Sequence, residues 1–334
     1  MKRVDPTPPA TTATVGDLTE DQLLALIFPI LPAGSVTLLG PGDDAAVVAV
    51  PDGRAVVSTD VLVEGRHFRR QWSTGEDVGW RAAVQNLADV AAMGGRPTSL
   101  VVALVAPADL SVDWVTGLAR GLAAACGRHG VGVVGGDLSG GDTIVVSVTV
   151  LGDLDGRDPV LRSGARAGDI IAHAGVRGWS AAGLALLAAG RGEVAPALVR
   201  AYLRPDPPLT AGAVAGRAGA TSMLDLSDGL LRDAGRVARA SGVVLDLGRV
   251  ADAFAPDLAV LADAAATLGA RAEEWVLAGG EDHGLLATFP PGVDLPEPFR
   301  PVGRVRAAGP QGAWVLVDGR PPTVASPGWD HFAR

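Results

Sequence analysis

Six short turns built from small residues each set an acidic residue beside an apolar run, and this recurrence constrains the chain more than any other feature. They are Gly40-Pro41-Gly42-Asp43-Asp44, Ser58-Thr59-Asp60, Asn86-Leu87-Ala88-Asp89, Gly135-Gly136-Asp137, Asp225-Leu226-Ser227-Asp228-Gly229 and Gly279-Gly280-Glu281-Asp282. Any one of them alone reads as a solvated turn, because Gly, Asn, Ser and Asp are ordinary turn residues. Several sit at the end of a strand-like segment, where a fold can gather them. Two carboxylates about 5 Å apart repel by about 3 kcal/mol at an effective dielectric of about 20. Convergence of the whole set would then exceed the stability of a typical domain, about 5–15 kcal/mol. Convergence therefore requires divalent cations, and oxygen-only ligands select magnesium, manganese or calcium over zinc.

What is scarce narrows the chemistry further. The only lysine is Lys2, so neither a Gly-Lys-Ser/Thr phosphate loop nor a protein-kinase strand lysine exists here. If the chain handles nucleotide phosphates, metal ions and arginines must supply the positive charge. A net charge of -9, with no basic run after the first three residues, argues against a nucleic-acid-binding surface. Cys126 is the only cysteine, which excludes an internal disulfide and a thiolate zinc cluster and suits a reducing cytoplasm. No apolar run approaches the roughly 18–20 residues that span a bilayer, and the N-terminus lacks a signal-peptide core. A cytoplasmic protein without a membrane segment is expected. Hydrophobic residues make up 48% and aromatic residues 4%, so Ala, Val and Leu must fill the core.

The periodicities predict a mixed α/β, or α+β, chain in two domains. Residues 1–16 form a Pro/Thr-rich tail expected to be disordered. An N-terminal domain over 17–156 and a C-terminal α/β domain over 157–334 meet near Arg157–Gly168. A helix is expected over 18–31, and strands over 46–50 and 55–58 joined by the turn Pro51-Asp52-Gly53, with Asp60 closing the second. Ser73-Thr74-Gly75-Glu76 has capping-box spacing and opens a helix ending at Met93-Gly94-Gly95. On that helix Asn86 and Asp89 share a face that suits a polar cleft.

Gly130-Val131-Gly132-Val133-Val134-Gly135 matches a dinucleotide fingerprint in letters only, since it leads into another glycine loop instead of a helix. That loop, expected over 135–142, is either a flexible hairpin or a set of backbone amides reaching a phosphate. Asp228 is placed to cap the helix that follows it, and the same helix start is open to an anion. Arg162, before Ser163-Gly164, is the better of two phosphate-clamp candidates, the other being Arg166. His67 stands out among the histidines. Trp329 is either a packing anchor or a ligand contact.

Order and spacing together carry a resemblance. Gly42-Asp43-Asp44-Ala45, Ser58-Thr59-Asp60-x-x-Val63-x-Gly65-x-His67-Phe68 and Asn86-Leu87-Ala88-Asp89-x-Ala91-Ala92-Met93-Gly94 lie in the first half. Gly135-Gly136-Asp137, Arg162-Ser163-Gly164-Ala165, Asp225-Leu226-Ser227-Asp228-Gly229-Leu230, Gly279-Gly280-Glu281-Asp282 and Gly328-Trp329-Asp330-His331-Phe332 follow. This set resembles the thiamine-monophosphate kinases of the aminoimidazole-ribonucleotide-synthetase-like superfamily. The resemblance implies ATP-dependent phosphorylation of thiamine monophosphate to thiamine diphosphate, with several Mg2+ ions. It implies metal ligands at Asp44, Ser58, Thr59, Asp60, Asp89, Asp137, Asp225 and Asp228, the catalytic core being Asp44, Asp60, Asp89, Asp137 and Asp228. ATP contacts fall on Gly136, Asp137, Arg162 and Ser227, and substrate contacts on His67, Glu281 and Trp329, with Ser326 the alternative to Trp329. Where the family sets an aromatic residue against adenine, this chain has Ala119 or Arg120. The family fold implies two α/β domains and a homodimer built through the N-terminal strands. The competing readings are another ATP-dependent enzyme of the superfamily, such as an aminoimidazole ribonucleotide synthetase, and a calcium-binding scaffold.

Overall fold

A computed structural model describes residues 12–42, 45–310, 312 and 314–329. Asp43, Asp44, Asp330, His331 and Phe332 lie outside the described residues. The chain divides into two units, Met1–Leu87 with Pro97–Asp153 and Ala88–Arg96 with Leu154–Arg334.

In the first unit Thr19 caps α1 (Glu20–Ile27) by accepting from the Gln22 N–H. The helix expected to reach residue 31 gives way to a 3-10 turn at Phe28–Ile30, because Pro29 has no N–H to continue it. β1 (Thr37–Leu39) pairs antiparallel with β2 (Val47–Val48). β3 (Val56–Val63) instead joins the main sheet and runs three residues past Asp60, so the strands on either side of Pro51–Gly53 belong to different sheets.

α2 (Gly75–Ala92) is capped one residue later than the Ser73–Glu76 spacing suggests. The Thr74 N–H and hydroxyl donate to the Asp77 carboxylate at 2.9 and 2.7 Å, and the Asp77 N–H donates back to Thr74 Oγ1. β4 (Arg96–Ala106), α3 (Val112–Gly127), β5 (Gly132–Gly140) and β6 (Val145–Asp153) complete the unit, with Ser111 capping α3. The sheet order is β3-β6-β4-β5.

The glycine loop expected over 135–142 is largely strand. β5 runs through Gly135-Gly136-Asp137 parallel to β4, pairing Gly136 with Val102 and Asp137 with Ala103. A Cβ at Gly136 would stand 1.9 Å from the Val102 carbonyl oxygen. The glycine is therefore demanded by close backbone approach beside a register shift.

In the second unit the order is β7 (Ile170–Ala174), α4 (Trp179–Ala188), α5 (Pro196–Leu203), α6 (Thr210–Arg217), β8 (Ser222–Asp225) and α7 (Leu230–Ser241). β9 (Val243–Leu247), α8 (Val250–Ala253), α9 (Ala255–Leu268), α10 (Ala272–Ala278), β10 (Leu285–Phe289), β11 (Arg300–Ala307) and β12 (Trp314–Val317) follow. The short α10 is absent from the sequence-based expectation. The six strands line up as β12-β9-β11-β7-β10-β8, antiparallel except for β12 beside β9.

Alternate residues of one strand enter two separate cores. Leu286 joins the cluster containing Leu231, Val237 and Leu261, whereas Leu285, Ala287 and Phe289 join the cluster containing Ala211, Ala215 and Met223. Both sheet faces are thus covered, which is why β10 reads as an unbroken apolar run. Residues 88–96 belong to this unit by contact. The Val160 N–H donates to the Met93 carbonyl at 3.0 Å, and Gly212 lies against the backbone of Ala91. Among the described residues no helix is long and apolar enough to cross a membrane.

Candidate active site

In the first unit the expected residues occupy two edges of one sheet. Ser58, Thr59 and Asp60 lie on β3, and Gly136 and Asp137 on β5. Those strands are the outer members of the sheet, three strand spacings or about 14 Å apart. The Thr59 hydroxyl donates to the Val148 carbonyl at 3.0 Å, and the Ser139 hydroxyl donates to Asp137 Oδ2 at 3.0 Å. His67 follows β3 and is half-buried. Its Nδ1 accepts from the Val63 N–H at 2.9 Å, so the ring proton of neutral His67 sits on Nε2.

A cavity of about 920 Å³ lies beside Gly136 and Asp137, lined also by Phe28, Leu118, Ala119 and Leu122. Of the two residues at the expected aromatic position, Ala119 lines this cavity and Arg120 is exposed. The expected polar cleft face on α2 is corrected. Asn86 is fully buried with its amide donating to the Ala82 carbonyl at 2.8 Å, while Asp89 alone is half-buried. The amide nitrogen thus bonds the preceding helical turn while Oδ1 is buried with no hydrogen-bond partner among the described residues, which spacing alone does not reveal.

In the second unit three segments are zipped together by backbone hydrogen bonds. The Glu281 N–H donates to Ser227 O at 2.8 Å, the Leu226 N–H to Gly284 O at 2.8 Å, and the Trp329 N–H to Asp228 O at 2.8 Å. Close approach needs glycine here. A Cβ on Gly280 would stand 2.4 Å from Ser227 O, and one on Gly328 2.3 Å from Asp228 O. Asp225, Ser227, Asp228, Glu281 and Trp329 are thereby gathered on neighbouring turns, with Trp329 54% exposed.

Asp228 does not cap α7. Asp233, one turn inside the helix, reaches back and accepts from the Asp228 and Gly229 N–H groups at 3.0 and 3.1 Å. Two donors of the helix start are thus already taken, and the Asp228 carboxylate turns to Arg236 at 2.6 Å and Arg232 at 3.6 Å. Burial, then the nearby Asp225 charge, pushes the Asp233 carboxyl up to about 6, against the pull of Arg236.

Arg162 stands elsewhere in the same unit. Its carbonyl accepts from the Ser241 hydroxyl at 3.1 Å, and Ser241 Oγ accepts in turn from the Gly164 and Ala165 N–H groups. Ser241 ends α7, whose 12 residues rise about 18 Å from the turn that carries Ser227. The backbones of these two expected ATP contacts therefore lie toward opposite ends of one helix.

Sequence reasoning passed over a buried set beneath the Gly279–Gly284 loop. Asp282 accepts from the Gly178 and Ser180 N–H groups at 2.6 and 2.8 Å and pairs with Arg177 at 3.2 Å, both side chains being fully buried. Arg177 also donates to the carbonyls of Val276 and Gly279. His283, inside the same loop, sits within 3.2 Å of Asp225. The only available signal was proximity to the Gly-Gly-Glu turn.

The donors suit magnesium in kind. They are carboxylate and hydroxyl oxygens, and Asp228 already holds a cation, the Arg236 guanidinium. Among the described residues no three His, Cys, Asp or Glu side chains form a ready cage. Magnesium needs none, since it keeps several waters and takes one or two carboxylates together with substrate phosphates.

Comparison with known proteins adds to this geometry. Residues 42–154 match the family of AIR synthase related proteins, N-terminal domain. The chain is 50% identical over 300 residues to the thiamine-monophosphate kinase of Mycobacterium tuberculosis, covering 90% of this chain and 87% of that one. It superposes on the crystal structure of thiamine monophosphate kinase from Aquifex aeolicus with a TM-score of 0.73 at 34% identity, over 83% and 90% of the two chains. A structure of AaThiL complexed with AMPPCP and TMP gives 0.74 at 34% identity, over 97% and 100%. The hydrogenase maturation protein HypE in complex with ATP, at 20% identity and a TM-score of 0.61 over 80% and 81%, shares the fold. With half its residues matched across nine-tenths of its length, the chain belongs to the thiamine-monophosphate kinase family.

Proposed function

We propose that this protein transfers the γ-phosphoryl group of ATP to the phosphate of thiamine monophosphate, yielding thiamine diphosphate and ADP. The observation that carries the reading is the match of 97% of the chain to a relative complexed with AMPPCP and TMP. The acceptor is a phosphate already ionised at neutral pH, so positioning and charge neutralisation matter more than a strong base. Transfer is direct and in line, without a phosphoenzyme.

The supporting chemistry assigns roles residue by residue. Gly136 offers backbone within β5 beside the large cavity, and Arg162 and Ser227 contact the nucleotide. His67 presents its Nε2–H to the substrate phosphate, while Glu281 and Trp329 hold the rest of the substrate. Ser58, Thr59, Asp60, Asp89, Asp137, Asp225 and Asp228 would hold magnesium, with Asp44 assigned by its motif alone. Bound magnesium would neutralise the triphosphate and clamp the attacking and leaving oxygens.

We further infer a homodimer through the N-terminal strands. β3 and β5 are the outer strands of the four-stranded sheet, and Val57 and Val61 on β3 are exposed at 62% and 44%. Apolar strand surface of this kind favours pairing with a second copy. Phosphorylated substrates and a single cysteine without a disulfide partner support a cytoplasmic location.

Release of ADP, followed with thiamine monophosphate, thiamine and formylglycinamidine ribonucleotide in turn, tests the function. Release with thiamine monophosphate alone is expected. Release only with the ribonucleotide favours the synthetase alternative, and calcium binding without any ADP release favours a scaffold.

A further inference from the structure

The imidazole of His283 stands between the carboxylates of Asp225 and Glu281. Its Nδ1 lies 3.2 Å from Asp225 Oδ2, and its Nε2 lies 3.9 Å from Glu281 Oε2. A carboxylate only accepts, so Nδ1 carries a proton on the Asp225 side. His283 is 4% exposed and Asp225 6%, so the contact is shielded from water.

The backbone beneath the ring is equally committed. Glu281 and His283 have φ of 70° and 54°, a left-handed conformation that residues with side chains seldom adopt. Three bonds to the Asp225–Gly229 turn enforce it: Glu281 N–H to Ser227 O, His283 N–H to Leu226 O and Leu226 N–H to Gly284 O. Strain of this kind persists only where the surroundings over-determine it. Here it fixes where the ring stands.

We propose that His283 is a positioning residue that sets the Asp225 carboxylate as a divalent-cation ligand by engaging one of its two oxygens. This rests on the kinase reading above and deepens it. Partners that orient a metal ligand in this way typically govern about 10- to 100-fold in metal affinity.

Mn2+ titration of the full chain by electron paramagnetic resonance, with a non-hydrolysable ATP analogue present, reads cation binding without turnover. His283→Asn keeps an N–H near the Nδ1 position and suits a left-handed backbone. It is expected to bind Mn2+ within about threefold of the wild type. His283→Gln carries its N–H toward the Nε2 position instead, and His283→Gly suits the backbone but has no side chain. Both are expected to lose about 10- to 100-fold. Melting curves without metal or nucleotide establish that each variant folds. Equal Mn2+ affinity in all three variants overturns the proposal. A wild type that shows this Mn2+ pattern yet releases no ADP with thiamine monophosphate overturns the kinase reading and leaves the role of His283 standing.

Discussion

Asp282→Ala is expected to be among the most damaging single changes in the second unit, although Asp282 contacts no proposed ligand. The substitution leaves the Arg177 guanidinium, 0% exposed, without its carboxylate. Breaking one side of a buried pair costs about 3–5 kcal/mol, because the remaining charge stays desolvated. The same carboxylate accepts from Gly178 and Ser180 at the start of α4, and losing such a cap costs about 1 kcal/mol more. The carbonyls of Val276 and Gly279 keep their bonds to Arg177 and offset part of the loss, so about 4 kcal/mol is the expected net. For a unit of this size that corresponds to a fall of about 8–16 °C in melting temperature. Thermal and urea unfolding of Asp282→Ala, Arg177→Met and the double variant measure it. The double variant is expected to be more stable than Asp282→Ala, since no uncompensated charge remains. A fall below about 1 kcal/mol in Asp282→Ala, or a double variant no better than the single, refutes the reasoning.

Asp60→Ala is expected to lower turnover about 100- to 1,000-fold while the melting temperature holds, as checked by ADP release and calorimetry. Near-normal turnover removes Asp60 from the metal set. Gly136→Ala brings a Cβ to 1.9 Å from a backbone oxygen and is expected to cost about 1–3 kcal/mol in chemical unfolding, which an unchanged midpoint would contradict. Asp233 makes a pH prediction of definite sign. Its carboxyl is raised to about 6 when folded against about 3.9 when unfolded, so the unfolded chain loses the proton first. Stability from this group therefore falls by about 3 kcal/mol as pH rises through that window and is flat above it. Asp233→Asn is expected to flatten that slope in urea titrations between pH 4 and 6, and an unaltered slope contradicts it.

Much of the architecture was readable because periodicity and punctuation agreed. α3 begins at its Ser111 cap, and the β8–α7 turn carries its aspartates where the spacing put them. The Gly135–Asp142 stretch was not readable as strand. Its glycines signal flexibility in isolation, whereas the deciding factor is the close approach of Val102 from another strand. Asp228 shows a similar limit. A local rule makes it the cap, but N–H groups near the helix start are already engaged, Arg232 N–H by Pro327 O and Asp233 N–H by Gly229 O, and its carboxylate is held by Arg236. The Arg177–Asp282 pair, 105 residues apart in the numbering, left no local pattern at all.

The placement of residues 88–96 bears on any attempt to study the halves separately. Expressing 154–334 by itself would strip Val160 of the Met93 carbonyl and Arg157 of the Gly94 carbonyl. It would also expose the flank of α6 that Gly212 presses against Ala91. A fragment that folds must bring this nine-residue insertion with it, by permutation or co-expression. A chimera joined at the apparent boundary takes this segment from its other parent, and because the contacts run to the backbone of residues 91, 93 and 94, a relative with the same chain path there supplies them equally well.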